Sequence, residues 1–199
     1  MRPTLVIFVK EPLPGRVKTR LARDVGAVPA AWWFRHQSSG LVRRMARDPR
    51  WRTVLAVSPD RAGIESRIWP AGIPRWPQGS GDLGRRMARA FDAMLPGPVI
   101  IIGADIPGIT PGLIARAFHH LRGADAVIGP ATDGGYWLIG LRRLGPHSPL
   151  DLLDRVRWSG PHAMSDTLAR LAPRRVMMME TLADVDCLDD LLRLGLPRP

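Results

Sequence analysis

The stretch Pro98–Pro107, PVIIIGADIP, decides the fold. Its residues Val99–Ile102 are all β-branched, and a strand that is apolar on both faces is typical of the buried centre of a largely parallel sheet. Gly103 ends this run and Asp105 follows two residues later, where open α/β sheets bind ligands. Asp105 is therefore a candidate functional acid, although an acid before a Pro-Gly turn can also serve only to cap that turn.

Length and composition favour one globular domain. The chain has 199 residues, of which 45% are hydrophobic, so it can form a sizeable core, and we predict a single domain over residues 1–199. The formal net charge of +11 leaves nucleic-acid binding open as an alternative of another class. The arginines are scattered over the outer faces of apparent helices, which is more typical of a solvated surface and makes nucleic acid the less favoured partner.

The N-terminal stretch predicts a buried strand rather than a targeting signal. Leu5–Val9 is an apolar run of five residues before Lys10, shorter than the ~7–15 residues of a signal-peptide core. No apolar stretch approaches the ~20 residues of a membrane span. Cys187 is the single cysteine, which excludes an internal disulfide. We expect a cytoplasmic protein without a membrane span.

Strands alternate with helices over most of the chain, which predicts an α/β sheet protein. A strand directly after the turn Asp133-Gly134-Gly135 makes the sheet mixed rather than wholly parallel. The predicted strands are Leu5–Val9, Thr53–Val57, Ile73–Trp76, Val99–Ile102, Ala126–Gly129, Tyr136–Leu141 and Val176–Met179. Predicted helices begin at Leu21 and after Asp82 and cover Pro29–Asp48, Thr110–Leu121, a segment ending near Ala172, and Leu188–Leu194, while Pro146–Pro161 is expected to be rich in loops.

The loop after the first strand, Lys10–Ala22, gathers positive charge. It holds the cations Lys10, Arg16, Lys18 and Arg20, with Gly15 among them. Lys10 and Lys18 are the two lysines of the whole chain, and lysine binds phosphate as a point charge. A strand, a glycine-containing basic loop and a helix start can cradle phosphate through backbone N–H groups, the helix dipole and the cations. The alternative is a basic surface turn.

Three further segments carry candidate residues. In QGSGDLGRR, residues 78–86, the glycines let a ligand approach the backbone, while Asp82 suits the N-cap of the next helix. Asp133-Gly134-Gly135 places an acid on a flexible turn, although it can also be only a hairpin turn. Asp184 and Asp186 follow the last predicted strand in TLADVD.

Five blocks in order resemble the radical-SAM/selenodomain-associated transferase 1 family, whose members are GT-A-type, nucleotide-diphospho-sugar-transferase-like proteins. The blocks are KEPLPGRVKTRLA, QGSGDLGRRMARAF, IIGADIPGIT, GPATDGGYWLIGL and DVDCLDDL, and they span essentially the whole chain. The order is similar, more loosely, to 2-phospho-lactate guanylyltransferase and other nucleotidyltransferases. The resemblance implies a three-layer α/β/α sandwich with a mixed, mostly parallel sheet, and a divalent metal ion, Mg²⁺ or Mn²⁺.

The same resemblance implies roles for individual residues. Asp105 and Asp186 would bind the metal, and Lys18, Arg16 and Asp105 would be the catalytic residues. The nucleotide would contact Lys10, Gly15, Arg16, Lys18, Arg20, Gln78, Gly81 and Asp82, and the acceptor would contact Asp133, Gly134, Gly135 and Tyr136.

The chain departs from these patterns at two places. Cys187 stands where related motifs have Thr, and Tyr136-Trp137 replaces the Thr-Asn of the guanylyltransferases. The second departure favours a bulkier and more apolar acceptor than phospho-lactate.

We therefore predict a metal-dependent nucleotidyltransferase that transfers NMP from an NTP to a phosphorylated small-molecule acceptor. Attack of an acceptor phosphate on the α-phosphorus brings several negative charges together. Catalysis therefore depends mostly on positioning the two substrates and on neutralising these charges. One or two carboxylates suffice for Mg²⁺, which keeps several waters. The alternative is a GT-A-type glycosyltransferase with a nucleotide-sugar donor, but the Asp-x-Asp motif usual in such enzymes is absent around Asp105, since Gly103 stands two residues before it.

Two geometric predictions follow from the order of the strands. The carboxylates of Asp105 and Asp186 should lie within ~6 Å of each other, close enough to share a cation. Tyr136 and Trp137 should point to opposite faces of the sheet, one into the core and the other beside Gly135 at the acceptor pocket.

Overall fold

The apolar runs of the sequence form one sheet in the computed structural model, which describes residues 2–143 and 149–198. Its strands are β1 (Thr4–Lys10), β2 (Arg52–Ser58), β3 (Arg75–Pro77), β4 (Val99–Ile102), β5 (Ala126–Pro130), β6 (Tyr136–Leu141) and β7 (Val176–Met178). They lie in the order β3-β2-β1-β4-β6-β5-β7, so β4 is central. Only β6 runs antiparallel to its neighbours, which confirms the mixed, mostly parallel sheet.

Helices cover both faces of this sheet. They are α1 (Leu21–Val25), α2 (Ala27–Ala46), α3 (Asp60–Glu65), α4 (Leu83–Ala93), α5 (Pro111–His120), α6 (Pro149–Leu153), α7 (Ala163–Leu171) and α8 (Leu188–Arg193). One face packs against α2 and α5, and the other against α4, α6 and α7. The three-layer α/β/α sandwich is therefore confirmed. Within the described residues, no helix combines the length and the apolar character that a membrane crossing needs.

The central strand is buried on both faces because its side chains are apolar throughout. Ile100 and Ile102 belong to the core on the α2 side, whereas Val99 and Ile101 belong to the core on the α4 side. All four residues are at most 3% exposed. The β-branched run thus supplies both layers of the sandwich, as the sequence predicts.

Several predicted boundaries are corrected by the structure. The long helix begins at Ala27 rather than Pro29, because proline is tolerated in the first turn of a helix, and ends at Ala46 rather than Asp48. The strand predicted over Ile73–Trp76 is Arg75–Pro77, and the last strand ends at Met178.

The loop-rich segment predicted over Pro146–Pro161 contains a short helix instead. Residues 144–148 lie outside the described part of the chain, but α6 begins at Pro149. Leu152 and Leu153 of α6 are buried against the sheet face that carries α4. This tertiary contact stabilises a five-residue helix that has too few residues to show a periodic pattern in the sequence.

A small third cluster of apolar residues brings distant parts of the chain to one end of the sheet. Val17 of the first loop and Leu21 of α1 pack with Val185 and with Leu191 of α8. Trp33 and Phe34, near the start of α2, complete it. The cluster therefore holds the first loop against the segment that contains Asp184 and Asp186.

Gly140 on β6 provides a test of the core packing. A Cβ atom there would lie 2.6 Å from Val127 Cγ1 and 2.8 Å from Ile100 Cγ1, on the two strands beside β6. We expect Gly140→Ala to lower the free energy of unfolding by about 1–3 kcal/mol, as overpacked cores do, measured by urea denaturation. Gly123→Ala is the matched control, since its Cβ would meet open space, and should change stability by less than about 0.5 kcal/mol. Equal effects of the two substitutions would contradict this account of the sheet.

Candidate active site

The site forms where the two central parallel strands end. β1 and β4 are neighbours, with Ile7 opposite Ile102, and both strands run in the same direction. Their carboxyl ends therefore meet at one edge of the sheet, which places the first loop beside Asp105. The adjacency of the strands, rather than any local sequence signal, brings these residues together.

Lys18 bridges the two predicted metal-binding acids. Its Nζ lies 2.6 Å from Asp105 Oδ2 and 3.0 Å from Asp186 Oδ1. Because both oxygens contact one ammonium group, they lie within the predicted ~6 Å of each other, which confirms the geometric prediction. The Lys18 side chain is only 7% exposed, whereas those of Asp105 and Asp186 are 34% and 33% exposed.

The electrostatics of Lys18 reflect this placement. Burial by itself lowers the pKa of Lys18, but the charges and hydrogen bonds of Asp105 and then Asp186 outweigh that effect and raise it above its usual value. Lys18 also has a φ of 46°, in the left-handed region that residues other than glycine rarely adopt. The adjacent Val17 is buried in the third apolar cluster, so packing holds the strained backbone that directs the ammonium group toward the acids.

The other cations of the first loop surround a cleft of about 410 Å³. Lys10, Arg16, Lys18 and Arg20 all line it, together with Gln78, Asp105 and Asp186. Arg20 NH1 donates to Asp186 Oδ2 at 3.0 Å. Gly15 has a φ of 73°, which allows the turn that precedes Arg16. We call this cavity the first-loop cleft.

Gln78 lines the first-loop cleft, but its amide group is engaged by the backbone. Nε2 donates to Val9 O at 3.2 Å and to Ala56 O at 2.8 Å, so the side chain ties the ends of β1 and β2 together. Its carbonyl oxygen is the part of the side chain that is left for a ligand.

The structure gives Asp82 the capping role that the sequence allowed. Its Oδ1 accepts from the Arg85 backbone N–H at 2.8 Å, and neither Asp82 nor Gly81 lines the first-loop cleft. Sequence reasoning missed Arg89, whose guanidinium group donates to Gln78 O at 2.9 Å and to Ser80 O. Arg89 therefore orders this loop from the neighbouring helix α4.

A second cavity of about 210 Å³ lies on the other side of Asp105. Asp133, Gly135 and Tyr136 line it, whereas Gly134 does not. Instead Gly134 has a φ of 86°, and a Cβ there would lie 2.6 Å from the backbone of Pro161. Gly134 thus allows the turn to approach the 158–163 segment closely. We call this space the double-glycine cavity.

Tyr136 and Trp137 point to opposite faces of the sheet, as predicted. Trp137 is 1% exposed, packs in the core on the α2 side and donates from Nε1 to Glu180 O at 2.9 Å, but it also lines the double-glycine cavity, which the sequence-based prediction assigned to only one of the two. Tyr136 is half-buried, packs on the α4 side and borders the double-glycine cavity beside Gly135. Burial raises the pKa of the Tyr136 phenol well above its usual value, so this hydroxyl stays protonated near neutral pH.

Asp184 is a site residue that the sequence-based assignment missed. It lines the double-glycine cavity, while Asp186 lines the first-loop cleft. Val185 between them is fully buried in the third apolar cluster and anchors this segment, which runs between the two cavities. Burial, and then the charge of Asp186, raise the pKa of Asp184, whereas the positive charge of Lys18 acts to lower it. The Asp-x-Asp spacing around a buried valine is the signal that could have found it.

The donor set fits a small divalent cation that is bound largely by substrate and water. Asp105 and Asp186 present hard carboxylate oxygens toward one point, and both are partly exposed to the cleft. Within residues 2–143 and 149–198, no three acidic, histidine or cysteine side chains converge on a complete metal site. Mg²⁺ needs no such complete set, because one or two carboxylates, phosphate oxygens and waters suffice.

The same fold occurs in solved structures, among them one named for nucleotide-diphospho-sugar transfer and one solved with CTP. A protein of Desulfovibrio desulfuricans, provisionally named a nucleotide-diphospho-sugar transferase, is 33% identical with a TM-score of 0.86, over 97% of this chain and 86% of that one. Rv0371c of Mycobacterium tuberculosis, solved with manganese, is 17% identical with a TM-score of 0.58, over 98% and 97% of the two chains. CMP:2-keto-3-deoxy-manno-octonic acid synthetase, solved with CTP, is 13% identical with a TM-score of 0.59, over the same shares.

The fold and the cleft at the ends of β1 and β4 thus place the chain in the structural class of nucleotide-diphospho-sugar transferase-like proteins. The chain belongs to the family DUF2064, described as "Uncharacterized protein conserved in bacteria", whose model matches residues 41–160. The finer family suggested by the five sequence blocks stays a prediction. A search of curated proteins finds no match.

Proposed function

We propose that this protein is a metal-dependent nucleotidyltransferase that binds an NTP in the first-loop cleft and transfers NMP to a small-molecule acceptor in the double-glycine cavity. The placement of Lys18 between Asp105 and Asp186, in a cleft lined by three more cations, is the observation that carries this proposal. Such an arrangement can hold polyphosphate on its cationic side and a divalent cation on its acidic side.

The first loop suits a triphosphate. Lys10, Arg16, Lys18 and Arg20 line one cleft, and they offer the number of positive charges that a bound NTP requires for neutralisation. When phosphates enter, they provide new partners for the Lys18 ammonium group, which frees carboxylate oxygens of Asp105 and Asp186. Those oxygens would hold Mg²⁺ or Mn²⁺, which supplies charge neutralisation and orientation at the phosphates.

The chemistry asked of the side chains is positioning. An acceptor oxygen forms a bond to the α-phosphorus, the bond from the α-phosphorus to the bridging oxygen breaks, and pyrophosphate leaves with the electron pair. Arg16, Lys18 and Arg20 neutralise the charge that accumulates on the departing pyrophosphate. Asp105 lines both cavities and therefore stands between the donor and the acceptor.

A second candidate function is glycosyl transfer from a nucleotide sugar at the same site. The 33% identity to a protein provisionally named a nucleotide-diphospho-sugar transferase favours it. Thermal-shift measurements with the four NTPs and a set of nucleotide sugars, each with Mg²⁺ or Mn²⁺, separate the two functions. We expect a matching NTP at 100 times its Kd to stabilise the protein by ~2.7 kcal/mol. A shift with nucleotide sugars alone would replace the first proposal with the second.

Nucleic-acid binding is the alternative of another class, and it predicts a basic face without acids beside the loop. The acids of the first-loop cleft, Asp105 and Asp186, stand against it. A duplex-binding titration across salt concentrations tests it, because phosphate-driven binding weakens steeply as salt rises. Tight, salt-sensitive duplex binding without any response to nucleotides would contradict the transferase proposal.

A matched pair of arginines tests the location of the triphosphate. Arg16 lines the first-loop cleft, whereas Arg23 is exposed on α1 and lines neither of the two cavities described above. We expect Arg16→Ala to weaken NTP binding by about tenfold, because Arg16 is exposed and its contact should lie at the lower end of the roughly 1.5–3 kcal/mol that a hydrogen bond to a charged group contributes. Arg23→Ala should change the affinity by less than about twofold. Calorimetric titration measures both, and an equal loss in the two variants would place the phosphates elsewhere.

A further inference from the structure

The charged side chains that line the double-glycine cavity are all acidic. They are Asp105, Asp133 and Asp184, and among the described residues no ion pair joins Asp133 or Asp184 to a basic side chain. Residues 144–148, which the structure does not describe, contain no lysine or arginine in the sequence. Asp105 is paired with Lys18, so the uncompensated negative charge of the cavity comes from Asp133 and Asp184.

Asp133 presents an exposed carboxylate at the double-glycine cavity. Asp133 Oδ1 accepts from the Gly135 backbone N–H at 2.9 Å, which leaves its other oxygen available to a ligand. Carboxylates that line one confined cavity repel an incoming anion.

Of the two cavities, the first-loop cleft is the one lined by basic side chains. Lys10, Arg16, Lys18 and Arg20 line the first-loop cleft, and none of them lines the double-glycine cavity. Arg157, next to Trp158 in the chain, forms an ion pair with Asp166, with its NH2 atom 2.8 Å from Oδ1. A phosphate group would find its partners in the first cleft and repulsion in the second.

Aromatic rings also line the double-glycine cavity. Tyr136, Trp137 and Trp158 all contribute to its wall, and the ring centroids of Tyr136 and Trp158 lie 6.3 Å apart at an interplanar angle of 76°. Aromatic faces attract ammonium groups and pack against the C–H faces of polyols, and both effects act together with carboxylates.

We infer that the acceptor is an uncharged or cationic small molecule that presents a hydroxyl group, and not the phosphate monoester predicted from the sequence. This inference rests on the proposed function, because it names the substrate class of the same site. The observation behind it is the cavity of about 210 Å³ with three acids and three aromatic residues in its wall.

A hydroxyl acceptor requires one proton transfer that a phosphate acceptor does not. The hydroxyl oxygen forms a bond to the α-phosphorus, pyrophosphate leaves with the electron pair of the broken phosphoanhydride bond, and the hydroxyl proton passes to the Asp133 carboxylate. Asp133 is exposed at the cavity and can release that proton to water afterwards.

Ligand-observed saturation-transfer NMR tests the inference without any need for turnover. The first-loop cleft is first saturated with Mg²⁺ and a non-hydrolysable NTP analogue, so that its cations are not free to bind the esters. The probes are ribose, glycerol and ethanolamine, each compared with its own phosphate monoester. We expect the three hydroxyl compounds to bind at least about tenfold more tightly than their esters, because like charges in a confined site repel. Asp133→Lys should reverse this preference, while Asp92→Lys, the same charge change on the outer face of α4, should leave it unchanged.

A second variant separates charge from turn structure. Asp133→Asn keeps a side-chain oxygen for the Gly135 N–H and removes the charge, so discrimination against the esters should fall without loss of hydroxyl binding. The inference would be overturned if the esters bound more tightly than the hydroxyl compounds to the natural protein. It would also be overturned if Asp133→Lys left the affinities of both sets of compounds unchanged. NTP affinity is measured by calorimetry on the same proteins before the analogue is added. If the natural protein does not bind NTP, the proposed function is wrong. If it binds NTP but prefers the esters, only the inference about the acceptor is wrong.

Discussion

Lys18→Ala is expected to weaken NTP binding by about 30- to 100-fold, the largest loss from any single cation of the first loop. Among the cations that form ion pairs in the cleft, Lys18 has the least exposed side chain. Its ammonium group lies between both acids, at the position proposed for the phosphates. A buried, charge-assisted contact contributes roughly 1.5–3 kcal/mol, or about 12- to 160-fold in affinity, and the expected loss lies within this range. Calorimetric titration with the NTP identified by thermal shift measures the loss.

The same substitution should have the opposite effect on divalent cations. In the natural protein the ammonium group occupies the point between Asp105 and Asp186. Its removal leaves two carboxylates within ~6 Å and without their shared partner, which destabilises the fold in the absence of metal by about 1 kcal/mol. Mn²⁺ should then raise the melting temperature of Lys18→Ala more than that of the natural protein.

Two further variants control the interpretation of Lys18. Lys18→Arg should recover only part of the NTP affinity, since a planar guanidinium group cannot reproduce a compact charge at a site that is 7% exposed. Arg23→Ala should leave both NTP and Mn²⁺ binding near their natural values. If Lys18→Ala bound NTP as well as Arg23→Ala does, the first loop would not be the phosphate site.

Asp105→Asn is expected to lower the rate of transfer by about 100- to 1,000-fold. Asp105 lines both cavities and contributes one of the two carboxylates directed toward the proposed metal position. Asparagine has the same shape without the charge, so the loss reports on electrostatics at the reacting phosphates, where single groups have effects of this size. Pyrophosphate release, followed with saturating NTP and an acceptor, measures the rate.

Binding measurements distinguish a metal ligand from a structural acid. Asp105→Asn should also weaken Mn²⁺ binding, as read by the paramagnetic relaxation of water protons, while the fold persists because Lys18 retains Asp186 as a partner. Asp189→Asn is the matched control, since Asp189 is an exposed acid on α8. Natural Mn²⁺ affinity in Asp105→Asn together with a normal transfer rate would remove Asp105 from the site.

Much of the fold could be predicted from local patterns. The β-branched run of β4 and the apolar run of β1 show that these strands are buried on both faces, and the turn at Asp133-Gly134-Gly135 indicates the reversed strand. Thr110 and Asp82 cap their helices as their positions suggest. These features depend on neighbouring residues in the chain, so a single sequence contains their signals.

The candidate site was predictable only in its parts. The basic loop and the acid after the central strand are visible in the sequence, because each follows a recognisable strand. The short helix α6, the backbone contacts of Gln78 and the closeness of Gly134 to Pro161 are not, since each depends on a partner distant in the chain.

The sequence by itself determined the layered α/β architecture, the cationic character of the first loop and the position of Asp105 beyond the central strand. The tertiary structure alone decided that Lys18 meets Asp186 across a sequence separation of 168 residues, and that Asp184 faces a second cavity. The physical reason is that burial of Val17 and Val185 in one apolar cluster positions the charged residues beside them. A hydrophobic contact between distant segments has no local signal, yet here it determines which charges come together.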